Sequence, residues 1–355
     1  MILNISSLSE FERIKEDWDD LYNSSGIHNL FITHNWLEKW IQYFGDNRWT
    51  ALLEQPSREK NLLWATILRL GKKRVGFIEP HHSFFPGILH LKEERLALQG
   101  TLSYIRSKYR PRVISLIQCP REGTLLKEIR LASRRNWYSL EKTPQLVWSI
   151  NLNGNYESYL SSKSKGTRHE LTRKNRKIER DFRSSLCRID NSSQINELFN
   201  IVGEVEKDSW KFRDGTAIIS SEMEKNFYKD IFGTYSSQSQ ARAYVLFAND
   251  IPVSYVFGIV FEGIYYTLKT SYKEEYAKYS PGTVLFLKMI KELCSNNDGI
   301  TKIEFLGGES RWKQELATDE RSYCTCSLYT RGFPSLLYIT AYKYIRPRIK
   351  KMLKR

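Results

Sequence analysis

The sequence predicts an α+β fold with mostly antiparallel strands, and three observations in its C-terminal half lead to that prediction. First, three stretches rich in β-branched and aromatic residues read as half-buried strands. These stretches are residues 241–248, 253–261 and 264–271. Second, Asn249-Asp250 and Glu262-Gly263 between them are hairpin turn signals. Third, the apolar spacing then changes to that of a helix, and 301–306 reads as one more strand, parallel to the third.

The helix of this β-α-β unit has a clear predicted start and end. Ser280 is expected to cap it with its hydroxyl, and Pro281 suits the first helical position because it has no amide proton to leave unpaired. Asn296, Asn297 and Gly299 are expected to end it. Its apolar residues recur at helical spacing and are Leu285, Phe286, Met289, Ile290 and Leu293.

The start of this helix has the features of an anion site. Gly282 lets a ligand approach the backbone, while the free N–H groups of the first turn and the helix dipole favour negative charge. A pyrophosphate fits there. A Ser-Pro-Gly sequence is, however, also an ordinary helix start, and both interpretations stay open at this point.

Several residues match motifs of a known family. They are Tyr272, Tyr276, Ala277, Tyr279, Ser280, Pro281, Gly282, Leu285, the run 304–308 (Glu-Phe-Leu-Gly-Gly) and Lys313. Ser209-Trp210-Lys211 with Gly215, and the aromatic set Phe31, Trp36, Trp40 and Phe44, add to the match. The chain resembles, over nearly its whole length, the CelD/BcsL-type acetyltransferases associated with cellulose and exopolysaccharide synthesis. That family is similar to the FemAB-type proteins, which contain two GNAT domains.

The resemblance implies a fold of two tandem GNAT-like (acyl-CoA N-acyltransferase) domains, with the N-terminal one degenerate. It implies acetyl-CoA or another acyl-CoA as the acyl donor and no metal. The cofactor contacts expected from it are Thr270, Ser280, Pro281, Gly282 and Thr283. One departure concerns the cofactor: ordinary GNAT enzymes carry a Q/R-x-x-G-x-G/A motif at the pyrophosphate, where this chain has only Ser-Pro-Gly.

Acyl transfer from a thioester to an amine needs a base for the amine proton and a donor near the leaving sulfur. The resemblance implies that the parallel strands at 265–271 and 301–306 splay around the donor. Glu304 is then the expected general base, although a carboxylate on a strand is more often a surface or paired residue. Tyr272 is the expected acid or substrate contact. The expected acceptor contacts are Trp210, Lys211, Arg168 and Lys313.

The rest of the chain is predicted from patterning. Residues 1–150 form one domain with helices at 8–22 and 35–44 and strands at 50–53, 62–70 and 74–78. A strand at 143–152 leads to the turn Asn153-Gly154-Asn155, and residues 151–332 form the catalytic domain. A basic helix spans 156–183, with Leu171, Ile178 and Phe182 on its inner side. Its arginines either line an acceptor groove or are only solvated.

Composition excludes disorder and predicts a polyanionic partner. The chain has 355 residues, 41% of them hydrophobic, and 55 Lys and Arg against 40 Asp and Glu give a net charge of +15. That charge suits nucleic acid, anionic lipid, acyl carrier protein or coenzyme A. Without a predicted membrane span or signal peptide, we expect a cytoplasmic protein, peripheral at the inner membrane face.

The cysteines and histidines do not suggest a metal site. Five cysteines make neither a disulfide framework nor a zinc spacing, and Cys324 and Cys326 are expected to share one face of a strand. His81 and His82 lack a third ligand at a recognisable spacing and are interpreted as loop residues.

The resemblance implies an acyl-CoA-dependent N-acyltransferase that acts on an amine-bearing sugar or envelope precursor, and this is the favoured function. Two alternatives remain: a FemAB-like transferase that uses aminoacyl-tRNA, and a non-catalytic protein that binds membranes or polyanions. The tail at 333–355 bears on the second, because basic and apolar residues interleave there as in a helix that lies on an anionic membrane, with Pro347 as a kink. The apolar side can equally pack on the protein.

Overall fold

The computed structural model describes residues 2–55, 62–77, 88–91, 94–122, 124–133, 136–142, 145–152, 154–296, 298–308 and 310–345. The chain divides into two compact units. Unit 1 comprises Met1–Gln145 and Ser322–Arg355, and unit 2 comprises Leu146–Arg321. The predicted histidine loop at His81 and His82, and the tail beyond Ile345, lie outside the described residues.

The first part of unit 1 alternates helices with short strands. Its elements are β1 (Ile2–Ile5), α1 (Leu8–Arg13), α2 (Lys15–Ser25), α3 (His34–Phe44), β2 (Trp49–Glu54), β3 (Trp64–Leu70), β4 (Arg74–Phe77), β5 (Leu89–His90), α4 (Glu94–Tyr109), β6 (Val113–Pro120), α5 (Thr124–Ser133) and β7 (Trp137–Glu141). The predicted single helix at 8–22 is thus two helices that meet at Ile14.

Unit 2 contains the hairpins and the β-α-β unit. Its elements are β8 (Gln145–Asn151), α6 (Tyr156–Ser161), α7 (Lys165–Asp181), β9 (Ser184–Ile189), α8 (Ile195–Lys207), α9 (Trp210–Arg213), α10 (Glu222–Ser236), β10 (Ala241–Ala248), β11 (Ile251–Phe261), β12 (Ile264–Tyr272), α11 (Pro281–Ser295), β13 (Lys302–Glu304) and α12 (Arg311–Leu316). The chain then returns to unit 1 with β14 (Asp319–Thr330), α13 (Phe333–Thr340) and a π-helical turn (Ala341–Ile345).

The sheets of the two units agree in their first five strands, which follow chain order, and differ in the sixth. In unit 1 the order is β1-β2-β3-β4-β6-β14, with β5 beside β3 and β7 beside β14. In unit 2 it is β9-β10-β11-β12-β13-β8. Each sheet is antiparallel except for one parallel pair, β4 with β6 and β12 with β13. The predicted α+β class with tandem GNAT-like architecture is confirmed by this layout and by the comparisons given below.

The predicted hairpins form because their turn residues accept left-handed backbone. Asn249, Asp250, Glu262 and Gly263 all have positive φ, between 49° and 74°. This is the conformation that a two-residue turn between twisted strands requires. The predicted strand at 301–306 shortens to Lys302–Glu304, because φ turns positive at Leu306 (47°) and Gly307 (66°).

Each unit has its own apolar core. In unit 1, Cys324 and Cys326 lie in one cluster with Trp64, Leu98 and Ile114, so both thiols share a buried face as predicted. In unit 2, the apolar side of α11 packs on the sheet. Its buried residues include Leu285, Phe286, Met289, Ile290 and Leu293. Leu171 and Ile178 of α7 join the same cluster, as the periodicity predicts.

Candidate active site

The two parallel strands of unit 2 part from each other. They pair only from Ile264 opposite Lys302 to Tyr266 opposite Glu304. Strand β13 then ends, whereas β12 continues to Tyr272. Beyond Tyr266 this edge of β12 has no strand partner in the part of the chain that the structure describes. The opening exposes main-chain groups to which an extended ligand with amide groups can bind as a further strand.

A β-bulge lies in β12 where the opening begins. The register between β11 and β12 shifts after Phe257, so that Gly258 faces Thr267 and Leu268 is the extra residue. A Cβ on Gly258 would lie 2.2 Å from the Tyr266 carbonyl oxygen, so only glycine permits this approach. The bulge bends β12 at the point where it leaves β13.

The first turn of α11 carries unpaired amides. Val284 donates to the Ser280 carbonyl at 3.1 Å, but no acceptor among the described residues serves the N–H groups of Gly282 and Thr283. The predicted hydroxyl cap is wrong: Ser280 is left-handed (φ 54°, ψ 52°) and its side chain makes no capping bond. A side-chain cap needs the extended backbone typical of that position. The helix end is thus open to an anion.

Space is available in front of Gly282. The nearest atom to a Cβ built there is in the ring of Tyr272, at 3.9 Å. Tyr272, at the end of β12, therefore borders the first turn of α11. Pro281 takes the first helical position as predicted, and both Pro281 and Thr283 are buried.

Lys211 connects α9 to the parted strand. Its Nζ donates to the Thr270 carbonyl at 2.5 Å. Burial, together with the charge of Lys269, lowers the pKa of Lys211 to about 8. The Thr270 hydroxyl donates to the Tyr255 carbonyl at 2.7 Å, so the sheet already uses this predicted cofactor contact.

Lys313 occupies the corresponding place beyond β13. Its Nζ donates to the Leu306 carbonyl at 2.5 Å and to the Gly308 carbonyl at 3.1 Å. Burial, and next the positive charge of Lys211, lower the pKa of Lys313 to about 8, while Glu304 opposes this shift. The predicted residues Lys211 and Glu304 therefore both lie near enough to Lys313 to affect its pKa.

Glu304 ends β13 and is 1% exposed. It forms an ion pair with Arg321, and Lys302 Nζ lies 3.6 Å from the same carboxylate oxygen. The other oxygen, Oε1, is buried and has no hydrogen-bond partner among the described residues. Burial raises the pKa of this carboxyl, although Arg321 and Lys302 oppose the rise. One oxygen is thus held by cations and the other is free to accept a proton.

A polar cluster that the sequence analysis missed lies near Lys211, and its charges act on the pKa of that lysine. Lys269 donates to Glu224 at 2.6 Å, and its ammonium lies 5.0 Å from the centre of the Tyr228 ring. Glu206, fully buried, accepts from Tyr255 Oη at 2.7 Å and from the Ile219 amide at 3.2 Å. The sequence signal was an acidic residue at a core position of an amphipathic helix, since Phe199, Val202 and Glu206 recur at helical spacing.

The other two predicted acceptor residues lie apart from this cluster. Trp210, at the start of α9, is 38% exposed and is not a core residue. Arg168, in the first turn of α7, makes no side-chain hydrogen bond or ion pair with any described residue. Helix α7 contacts α11 through the pair Lys288 and Glu179 at 2.8 Å, and Lys177 of α7 donates to the carbonyl of Lys278, which precedes α11, at 2.9 Å. Within the described residues, no hydrogen bond or ion pair links Arg168 to Lys211 or Lys313.

Comparison with known proteins supports this assignment of the fold. Residues 165–314 match the family described as acetyltransferase (GNAT) domain. This segment contains β12, α11, β13 and most of α12. It therefore includes the parted strands together with Lys211 and Lys313. The GNAT-like acyltransferase fold of unit 2 supports a transferase. No curated protein matches the sequence significantly.

Solved structures resemble the chain over nearly its whole length. The C-terminal domain of a putative lysylphosphatidylglycerol synthetase from Agrobacterium fabrum has 11% sequence identity and a TM-score of 0.57, with 95% of this chain and 96% of that chain covered. FemX has 11% identity and a TM-score of 0.55, with 93% and 97% covered. A tandem GNAT protein from the clavulanic acid biosynthesis pathway has 9% identity and a TM-score of 0.52, with 94% and 100% covered. At these identities the likeness concerns the fold.

No group of three or more His, Cys, Asp or Glu side chains among the described residues is arranged to hold a metal ion. None of the helices in that part of the chain combines the length and the apolar character needed to cross a membrane.

Proposed function

We propose that the protein is an acyl-CoA-dependent N-acyltransferase that transfers an acyl group, in the first instance acetyl, to an amine. The acceptor we propose is an amino sugar or another precursor of polysaccharide or cell-envelope synthesis, in line with the resemblance to the CelD/BcsL type. The observation that carries the proposal is the parting of β12 and β13 beside an uncapped helix start, within the segment that matches the GNAT domain.

The donor fits the free main-chain groups of this opening. The pyrophosphate of coenzyme A would accept hydrogen bonds from the Gly282 and Thr283 amides, with the Ser280-Pro281 corner placing those amides outward. The pantetheine arm, which contains two amides, would lie along the unpaired edge of β12 beyond Tyr266. The donor supplies the activated acyl carbon as a thioester.

The chain's own residues would transfer the protons and bind the acceptor. The amine nitrogen attacks the thioester carbonyl carbon, a C–N bond forms, the C–S bond breaks, and the nitrogen gives up one proton. Glu304 Oε1 would take that proton directly or through a water, because a raised pKa brings a carboxylate closer to the pH at which it serves as a base. Tyr272, at the end of β12, would give a proton to the leaving sulfur. Trp210 would stack on the acceptor sugar.

Thioester consumption tests this proposal. The full chain is incubated with acetyl-, butyryl- and palmitoyl-CoA and a mixture of amino sugars, free thiol is measured, and bound coenzyme A is sought by native mass spectrometry. Amine-dependent thiol release with one acyl-CoA supports the proposal. Absence of both thiol release and bound coenzyme A contradicts it.

A transferase that uses aminoacyl-tRNA is the second candidate, favoured by the net charge of +15. Neutralising phosphates releases counterions, so tRNA binding would weaken steeply as salt rises. Transfer of a labelled amino acid from charged tRNA, without thiol release from any acyl-CoA, would replace the first candidate by this one.

A membrane-facing role of helix α13 is a separate proposal within the same function. Four side chains on its outer side or just beyond it are more exposed than is usual for apolar residues: Phe333 (77%), Leu337 (59%), Leu336 (47%) and Tyr344 (63%). Between 331 and 355 the sequence has eight Lys or Arg and no Asp or Glu. Apolar insertion beside a basic stretch suits an anionic leaflet, so we place the protein in the cytoplasm at the inner membrane face.

Surface substitution tests this better than truncation. Ile339 of α13 packs on Leu140 and Tyr329, so truncation after Gly332 would also damage unit 1. Phe333→Ser with Leu337→Ser should reduce binding to vesicles rich in phosphatidylglycerol at least fivefold, whereas Met223→Ser, at a site 51% exposed in unit 2, should not. Equal binding by all three proteins would contradict membrane docking through α13.

A further inference from the structure

The ammonium groups of two partly buried lysines lie on the two sides of the β12–β13 opening. Lys211 is held by the carbonyl of Thr270, on β12 beyond the point where the strands part. Lys313 is held by the carbonyls of Leu306 and Gly308, on the chain that continues from β13. The two side chains come from different helices, α9 and α12, and end on opposite sides of the same opening.

Neither ammonium group has an anionic partner. No carboxylate oxygen of any described residue lies within 4.0 Å of Lys211 Nζ or Lys313 Nζ. The acids nearby are already bound: Glu206 by Tyr255 and the Ile219 amide, and Glu224 by Lys269. Glu304, the third acid nearby, pairs with Arg321. Removing a cation from water, even in part, has an electrostatic cost that a nearby anion offsets.

Two hydroxyl groups close in the chain to these lysines or to their acceptors also lack a hydrogen-bond partner among the described residues. Ser271 Oγ, beside the residue that holds Lys211, is buried without a hydrogen-bond partner among the described residues. Ser310 Oγ, three residues before Lys313, is in the same state. Hydroxyl groups can donate to an anion, and buried hydroxyl groups are normally hydrogen-bonded in native proteins. Both sides of the opening therefore present a cation with an unused donor close by in the chain.

We propose that Lys211 and Lys313 bind an anionic group of the acceptor, a phosphate or a carboxylate, and so hold the acceptor amine in place for acyl transfer. This inference rests on the proposed acyltransferase function and names the acceptor as an anionic amine. The donor's pyrophosphate has a separate place at the amides of Gly282 and Thr283, which leaves the lysine pair for the second substrate. A bound anion supplies the counter-charge that the chain itself lacks there.

Three amino sugars that differ only in an anionic substituent test the inference. Glucosamine has none, glucosamine 6-phosphate carries a phosphate, and muramic acid carries a carboxylate. Binding of each to the full chain is measured by isothermal titration calorimetry at pH 7, without any acyl donor. We expect at least tenfold tighter binding of one anionic sugar than of glucosamine, and which of the two binds identifies the group.

Variants assign that preference to the lysines. Lys211→Met and Lys313→Met keep an unbranched, flexible side chain, one atom shorter and without the charge. Each should weaken binding of the preferred sugar about tenfold and leave glucosamine binding unchanged. Lys225→Met, at a lysine paired with Glu222 on α10, is the control and should bind like the parent. Coenzyme A affinity, measured in parallel, should be the same in all four proteins.

The outcomes separate this inference from the proposed function. Equal binding of all three sugars by the parent, no binding of either anionic sugar, or an unchanged preference in both lysine variants would overturn the anion site. Loss of coenzyme A binding and of thiol release in the parent, with the anion preference intact, would overturn the acyltransferase proposal instead.

Discussion

The first five strands of units 1 and 2 are arranged in the same order, with one parallel pair in each unit, but the two units bury very different side chains. Among the described residues, five Lys, Arg, Asp or Glu side chains are buried, and all five lie in unit 2. They are Lys163, Glu206, Arg242, Lys273 and Glu304. In the described part of unit 1 the buried polar residues are His34 and the hydroxyl residues Thr50, Thr66, Thr101, Ser115 and Ser327.

The difference indicates that unit 2, and not unit 1, holds the charged residues of the candidate active site. Apolar burial stabilises a fold at no electrostatic cost, whereas a buried charge is costly and persists where its partners or its function compensate. The third pair of each parallel ladder makes the contrast concrete. In unit 1 it is Gly76 opposite Ser115, and in unit 2 it is Tyr266 opposite Glu304. The same place in the same architecture holds a hydroxyl in one unit and an acid in the other.

Replacing that acid should have the largest effect. Glu304→Gln keeps the shape of the side chain but removes the proposed base, and we expect the turnover number to fall about 100-fold with little change in coenzyme A affinity. Ser115→Ala, at the matching position of unit 1, should keep near-parent turnover. Steady-state kinetics with the preferred acyl-CoA measure both. Full turnover in Glu304→Gln would assign the proton transfer to another group or to water.

Blocking the start of α11 should have the next largest effect. Gly282→Glu brings a carboxylate to the amides that would bind the pyrophosphate, so coenzyme A affinity should fall at least tenfold, or about 1.4 kcal/mol. Gly166→Glu, at an open position in the first turn of α7, is the matched control in the same unit. Calorimetric titration with coenzyme A measures the change, and an unchanged affinity in folded Gly282→Glu would contradict the assignment.

The smallest expected effect is on stability against pH. A lysine with a pKa of about 8 in the folded protein and an ordinary pKa near 10.5 when unfolded binds fewer protons in the folded state between those values. Below pH 8 the free energy of unfolding is therefore lowered by the full cost of burying the charge. Above pH 8 it rises with pH. Lys269, Glu206 and Glu224 face Lys211 and shape this shift.

Urea unfolding at pH 7 and pH 9.5 measures the effect. As the pH rises, the free energy of unfolding of the parent should increase relative to that of Lys211→Met. It should not increase relative to that of Lys127→Met, a control at an exposed lysine of unit 1. A constant difference between the parent and Lys211→Met would mean that Lys211 titrates as an ordinary lysine.

Local sequence determined the elements around the site. Asn249, Asp250 and Gly263 accept positive φ by their own chemistry, so both hairpins were predictable from their turn residues. Pro281 and the apolar spacing after it placed the start and the buried side of α11. The predicted Ser280 cap failed because its left-handed backbone is not a property that the serine itself prefers. The domain limits and the roles of the site residues remain predictions.

What the sequence by itself determined are the strands, turns and helices, since these depend on neighbours within a few positions along the chain. What only the tertiary structure decided is the electrostatics of the opening. Glu304 meets Arg321, seventeen residues away, and Lys211 meets Thr270, fifty-nine residues away. Burial, which sets the cost of each charge and the direction of each pKa shift, depends on such distant contacts, and residue patterns along the chain do not encode them.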